Sequence, residues 1–143
     1  MSHGATPVLD FLDFDAPHDD LVRRASNLDA AVNAGDRTKA ASILDGLIDA
    51  TVFHFAIENE LMERSSYPLL AVHRTAHDLF IQDIHASAQE IARSGISPRI
   101  NDWASGRLQE WLRYHMEEND RPLADHLRRV KATPGTHSVQ KLS

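Results

Sequence analysis

Five histidines and two carboxylates stand out in this chain of 143 residues: His18, His54 with Glu58, His73 with His77, and His115 with Asp120. Each group falls on a different predicted helix. Neutral imidazole and carboxylate together suit iron or zinc, and seven such groups brought to one place would be costly to bury without a metal. The set has the size and chemistry to hold two iron ions. There is no cysteine, which removes disulfides, iron–sulfur ligation and covalent c-type haem attachment. Any metal must be held by nitrogen and oxygen.

Three breaks separate segments of helical period: Ala34-Gly35-Asp36, Ser65-Ser66-Tyr67-Pro68 and Ser94-Gly95-Ile96-Ser97-Pro98. They predict four helices, at about 18–33, 37–64, 69–93 and 98–119, with ends uncertain by two to four residues. Asp36 is placed to cap the second helix, Ser66 to start the third, and Ser97 with Pro98 to cap and open the fourth. Gly95 is placed to terminate the third. Pro122 is expected to stop the fourth helix near Asn119, since it lacks an amide donor and clashes with the preceding turn, after which 122–130 restarts as a short helix. Short connections imply antiparallel neighbours. The fold class is therefore all-α, an up-down-up-down four-helix bundle with a short C-terminal helix, formed by one domain over 1–132 and followed by a flexible tail over 133–143.

The candidate ligands lie on the apolar stripes of these helices. On the first helix the stripe runs His18, Leu21, Ala25, Leu28, Val32. On the second it runs Leu44, Leu47, Thr51, His54, Glu58, Leu61, and on the third Leu70, His73, His77, Phe80, Ile84. On the fourth, Ile100, Ala104, Leu108, Trp111 and His115 share a face. At about 100° per residue, partners four apart lie about 40° apart and aim at one point. A single histidine on such a face is usually a core residue with a hydrogen-bond partner. Five at the same end of an antiparallel bundle are a site. Asp120 is the exception, because a spacing of five from His115 puts it about 140° away on a regular helix. Two readings are open for it: the break at Pro122 turns its carboxylate inward, or it caps the terminal helix.

Two octahedral ions offer about twelve coordination positions, and five imidazoles, two bridging carboxylates and one bridging oxo or hydroxo group fill about eleven. One place is left for a small molecule, as in a catalytic rather than a structural metal site.

From about Phe11 to Leu127 the pattern resembles the hemerythrin family. The resemblance is carried by His54-Phe55-Ala56-Ile57-Glu58, then Leu61-Met62, Tyr67-Pro68, and His73 with His77 leading to Phe80, followed by Trp111-Leu112 ahead of His115 and Asp120. It implies a non-haem di-iron centre in which His73, His77 and His115 hold one iron and His18 and His54 the other. Glu58 and Asp120 would bridge them, with an oxo or hydroxo group completing an Fe–O–Fe unit. It also implies reversible O2 binding at the two-histidine iron, with NO or small anions as further ligands. Leu112 corresponds to a pocket-lining leucine. Phe55, Trp111 and Met62 are candidates for the rest of the wall, with ordinary core packing the competing role for each of them and for Leu112. Ahead of His18 the family carries an aromatic cover and an acidic residue, for which Phe11 or Phe14 and Asp15 stand here. His85 and His126 are expected at the surface, and His3 and His137 in the tails.

Charge and composition narrow the remaining classes. A formal charge of −6 opposes nucleic acid and anionic membranes as partners. No run approaches the roughly 20 uninterrupted apolar residues of a membrane span, and Met1 to Asp15 does not resemble a secretory signal, so residence in the cytoplasm is expected; whether there is a protein partner is left open by the sequence. Oxygen storage, transport or delivery is the favoured function and turnover is not expected. The competing functions are an O2, NO or redox sensing module and a di-iron oxidase. The oxidase class usually builds its site from Glu-x-x-His pairs, and no glutamate here has a histidine three residues later. A zinc hydrolase would need glutamate after His73, where Arg74 stands.

Overall fold

Every helix leaves backbone groups unpaired at its ends, and the breaks in this chain supply the partners. Asp36 Oδ1 accepts the Lys39 N–H at 3.1 Å, and Ser97 Oγ accepts the Ile100 N–H at 3.1 Å beside Pro98. Gly95 ends its helix at a φ of 82°, a conformation that glycine adopts without a Cβ clash. Ser66 does not cap the third helix as expected. It takes a φ of 55° inside the turn, and the helix opens after Leu69 with no side-chain cap.

The computed structural model describes residues 15–132. Helix α1 is Asp15–Asn33, α2 is Arg37–Arg64 and α3 is Leu70–Ser94. The fourth leg runs without interruption through α4 (Pro98–Asp102), a π turn (Trp103–Arg107), α5 (Leu108–His115), a second π turn (Met116–Asp120) and α6 (Arg121–Ala132). No strand occurs among the described residues. Packing of α1 on α2, α2 on α3, and α1 on α4 and α5 closes the bundle. Phe11, Phe14, His3, His137 and the expected tail lie outside the described residues.

The fourth leg departs from expectation at Pro122, where the helix does not stop. The preceding π turn bonds Arg121 N–H to Met116 O, five residues apart. This widening falls just before the residue that has no N–H to give, and the helix absorbs the missing bond. The first π turn similarly bonds Leu108 N–H to Trp103 O. It brings Trp103, which the apolar stripe passed over, fully inside, where its Nε1–H donates to Asp83 Oδ2 at 2.8 Å.

Two apolar clusters result. The larger runs through all four legs and includes Leu28, Leu44, Ile84, Leu108 and Leu112. The smaller joins Met62 and Tyr67 to Leu123, Ala124 and Leu127 of α6. Helix α2 is long and apolar enough by composition to cross a bilayer, and its apolarity is accounted for by the core residues it supplies, among them Leu44, Leu47 and Phe55.

Candidate metal centre

The polar residues of the interior are confined to a narrow set. Apart from Thr51 and Ser87, the buried polar side chains among the described residues are His54, Glu58, His73, His77, His115 and Asp120. His18 joins them from the first turns of α1, half-buried. The smaller apolar cluster is built from the same end of α2, the turn after it, and α6, so hydrocarbon adjoins the centre from below as well as above.

All five imidazoles present Nε2 inward. Glu58 Oε1 lies 3.2 Å from Nε2 of His73 and 2.9 Å from that of His77, while its Oε2 lies 2.5 Å from His54 Nε2. Asp120 repeats the arrangement: Oδ1 is 3.0 Å from His73 and 3.2 Å from His115, and Oδ2 is 2.9 Å from His18. Each carboxylate thus offers one oxygen to a group of three histidines and the other to a group of two. Glu58, His73, His77, His115 and Asp120 form one set of candidate ligand atoms within 4.8 Å of one another, and His18, His54, Glu58 and Asp120 form a second.

The inward turn of Asp120 has a cause different from the expected chain break. A turn closed by an i→i+5 bond takes more residues per revolution than an α turn, which brings Asp120 round toward the face of His115. Its carboxylate is occupied by histidines rather than by capping a helix.

Electrostatics follow from this packing. Burial and the charge of Asp120 push the Glu58 carboxyl up, but hydrogen bonds from His54, His73 and His77 outweigh them and hold it at about 2. Burial raises Asp120 as well, and its contacts with His115, His18 and His73 bring it well below the ordinary carboxylate range. Burial lowers His73, yet Asp120 and Glu58 carry it up to about 9. His77 is lowered by burial and by the neighbouring His115 and His73, in spite of Glu58.

Flat rings fix several imidazoles in place. Phe55 stacks on His77 with centroids 3.8 Å apart and planes at 11°, and Trp111 stacks on His115 at 4.6 Å and 12°. Phe80 in turn stacks on Trp111 at 4.0 Å. Phe55 and Leu112 are buried in the larger cluster, Trp111 packs half-buried on it, and Met62 belongs to the smaller one.

Two participants escaped the sequence reading. Asn59 Oδ1 lies 3.0 Å from His77 Nδ1; a carbonyl oxygen accepts, so Nδ1 carries the proton and Nε2 presents its lone pair inward when the ring is neutral. Its spacing, one residue after Glu58, gave a weak signal at best. His126 is not the surface residue expected. It is half-buried against Tyr67, with ring centroids 5.0 Å apart, and its Nε2–H donates to Ser65 O at 3.0 Å, tying α6 to the turn between α2 and α3. His85 is exposed as expected.

The geometry defines a class first: a four-helix-bundle protein with a buried, all nitrogen-and-oxygen donor set, suited to a non-haem metal. Residues 12–127 match the family model described as the hemerythrin HHE cation binding domain, and the chain belongs to the hemerythrin family. It is similar to the bacteriohemerythrin of Stenotrophomonas maltophilia, 30% identical over 114 residues that cover 80% of this chain and 72% of that one. The bacteriohemerythrin of Pseudomonas aeruginosa is 28% identical over the same shares, and that of Ralstonia nicotianae is 33% identical over 68% of this chain and 69% of its own. Family membership and the histidine–carboxylate cluster together support non-haem iron and, in general terms, oxygen binding.

Proposed function

We propose that the chain binds O2 reversibly at a di-iron centre, for storage, transport or delivery, without turning it over. The observation that carries this reading is the division of Glu58 and Asp120 between the two histidine groups, one oxygen to each. A carboxylate that serves one ion has no need to face two sets of imidazoles. On this reading His73, His77 and His115 would hold one iron and His18 and His54 the other, with Glu58 and Asp120 facing both groups. The group of two histidines has fewer protein donors, which would leave a position for O2.

The donor set fits the ions. Five neutral nitrogens and two carboxylates suit iron, and the two negative charges partly offset those of the ions inside a low-dielectric interior. Iron held there would supply the electrons that reversible O2 binding requires. The protein contributes ring positions locked by Phe55 and Trp111, a fixed His77 tautomer through Asn59, and apolar packing that excludes water. Exclusion of water favours binding over oxidation, because solvent and protons would displace reduced oxygen from the site. The lack of any Glu-x-x-His pair supports binding over the oxidase class.

Anaerobic reduction followed by O2 titration, with metal analysis on the same sample, tests the proposal. Two irons per chain and a visible absorption that appears with O2 and disappears on its removal are expected. A single ion per chain, or bleaching that cannot be reversed, overturns it.

A further inference from the structure

The five imidazoles are not equally shut off from solvent. The side chains of His73 and His77 are 1% exposed and that of His115 is 3%, whereas those of His54 and His18 are 8% and 13%. On the more open side lies a groove of about 600 Å³ between α1 and α2. His54 forms part of its lining, and Leu21, Ala50, Phe53 and Ile57 give it mainly apolar walls. The charged side chains that line it are Asp20, Asp49 and Arg24. Arg24 Nε–H donates to Asp20 Oδ2 at 2.8 Å. Its guanidinium can lie against α2 because residue 46 is glycine, where a Cβ would stand 3.2 Å from Arg24 Nη1.

We propose that this groove is the access route to the centre for O2, its apolar walls admitting a neutral diatomic gas. The proposal rests on the reading of the centre as an O2 site. Apolar walls favour a gas that loses no hydrogen bonds on leaving water. Asp20 is paired with Arg23 on one oxygen and with Arg24 on the other, so the two arginines offset Asp20 and Asp49 and the apolar walls set what enters.

An access route changes association and dissociation together and leaves affinity alone. Ala50→Trp, which narrows the groove, is expected to slow O2 association and dissociation by about tenfold each, with the equilibrium constant unchanged. Phe53→Ala opens the groove at a side chain that is 68% exposed, so the fold does not depend on it, and both rates should rise. A readout independent of iron uses the protein loaded with zinc and dissolved O2 as a paramagnetic probe. Relaxation enhancement should be stronger at the amides of Leu21, Ala50 and Phe53 than at Val72 and Leu79, which are exposed hydrophobics of α3 at 62% and 58%. Rates unmoved by both Ala50→Trp and Phe53→Ala in protein of normal iron content would overturn the route, as would equal relaxation at the two sets of amides. Loss of the O2 spectrum in the unmodified iron protein would instead overturn the reading of the centre, and the relaxation measurement would still decide the groove.

Discussion

At the scale of single residues, the histidine–carboxylate cluster sets opposite pH limits. Glu58 is held at about 2, below the ordinary 4.5 of a glutamate, so its contribution to stability is present above 4.5 and is lost as pH falls through 2. His73 is raised from 6.5 to about 9, so its contribution is full below 6.5 and is lost as pH rises through 9. Protein stripped of metal should therefore be most resistant to urea between about pH 4.5 and 6.5 as far as these two groups are concerned. Unfolding midpoints at pH 3, 5.5 and 9 check this; a midpoint that climbs steadily to pH 9 contradicts it. Metal reverses the sense for His73, which must be neutral to ligate. Uptake at pH 7.5 should release protons into a weak buffer, and apparent affinity should rise with pH toward 9. The neighbouring Asn59 is open to a separate test. Asn59→Ala removes the acceptor of His77 Nδ1–H and should weaken metal binding about 10- to 100-fold by competition titration, with the fold intact. Wild-type affinity in this variant would show that Phe55 stacking alone orients His77. The five histidines and Glu58 were legible because spacings of three and four leave residue type as the only surprise on an apolar stripe. Asn59 was not, since nothing in its position distinguishes it from a solvated polar residue.

At the scale of elements, the second π turn matters most, because it decides which face of the fourth leg Asp120 occupies. Inserting one alanine after Glu117 moves Asp120 a further residue from His115 and should rotate its carboxylate away from His18 and His73. The expected outcome is loss of metal to below one ion for every two bound by the unmodified protein, with helical circular dichroism preserved; full metal retention would show that the turn re-registers freely. Helix α6 has a different task, since Leu123, fully buried in the smaller cluster, helps to close the bundle below the centre. Leu123→Ala should cost about 2–5 kcal/mol of stability by denaturant unfolding. The four legs, their caps at Asp36 and Ser97, and their antiparallel order could be read from punctuation and period. The continuity of the fourth leg could not. Proline at 122 is a stop signal in a regular helix, and its tolerance goes with a widened turn just before it, which a period of 3.6 does not foretell. The same blindness moved Trp103 off the expected stripe, since a period of 3.6 does not survive an inserted residue.

At the scale of the whole molecule, the centre sits where all four legs must agree. His18 comes from α1, His54 and Glu58 from α2, His73 and His77 from α3, and His115 and Asp120 from the fourth leg. The seven side chains converge closely there, with His77 Nε2 and His115 Nε2 3.1 Å apart. A ligand that binds only this assembled arrangement stabilises the native state by mass action, by about 4 kcal/mol at a thousand times its dissociation constant. Because every leg supplies a candidate ligand, the effect is expected to be global rather than the fraying of one helix. Chelation should lower the thermal midpoint by about 10 °C or more, and amide exchange should quicken on all four legs together. Protection lost from α1 alone, with α2, α3 and α5 unchanged, would mean that His18 is a peripheral ligand and that the remaining six residues hold the bundle's metal by themselves.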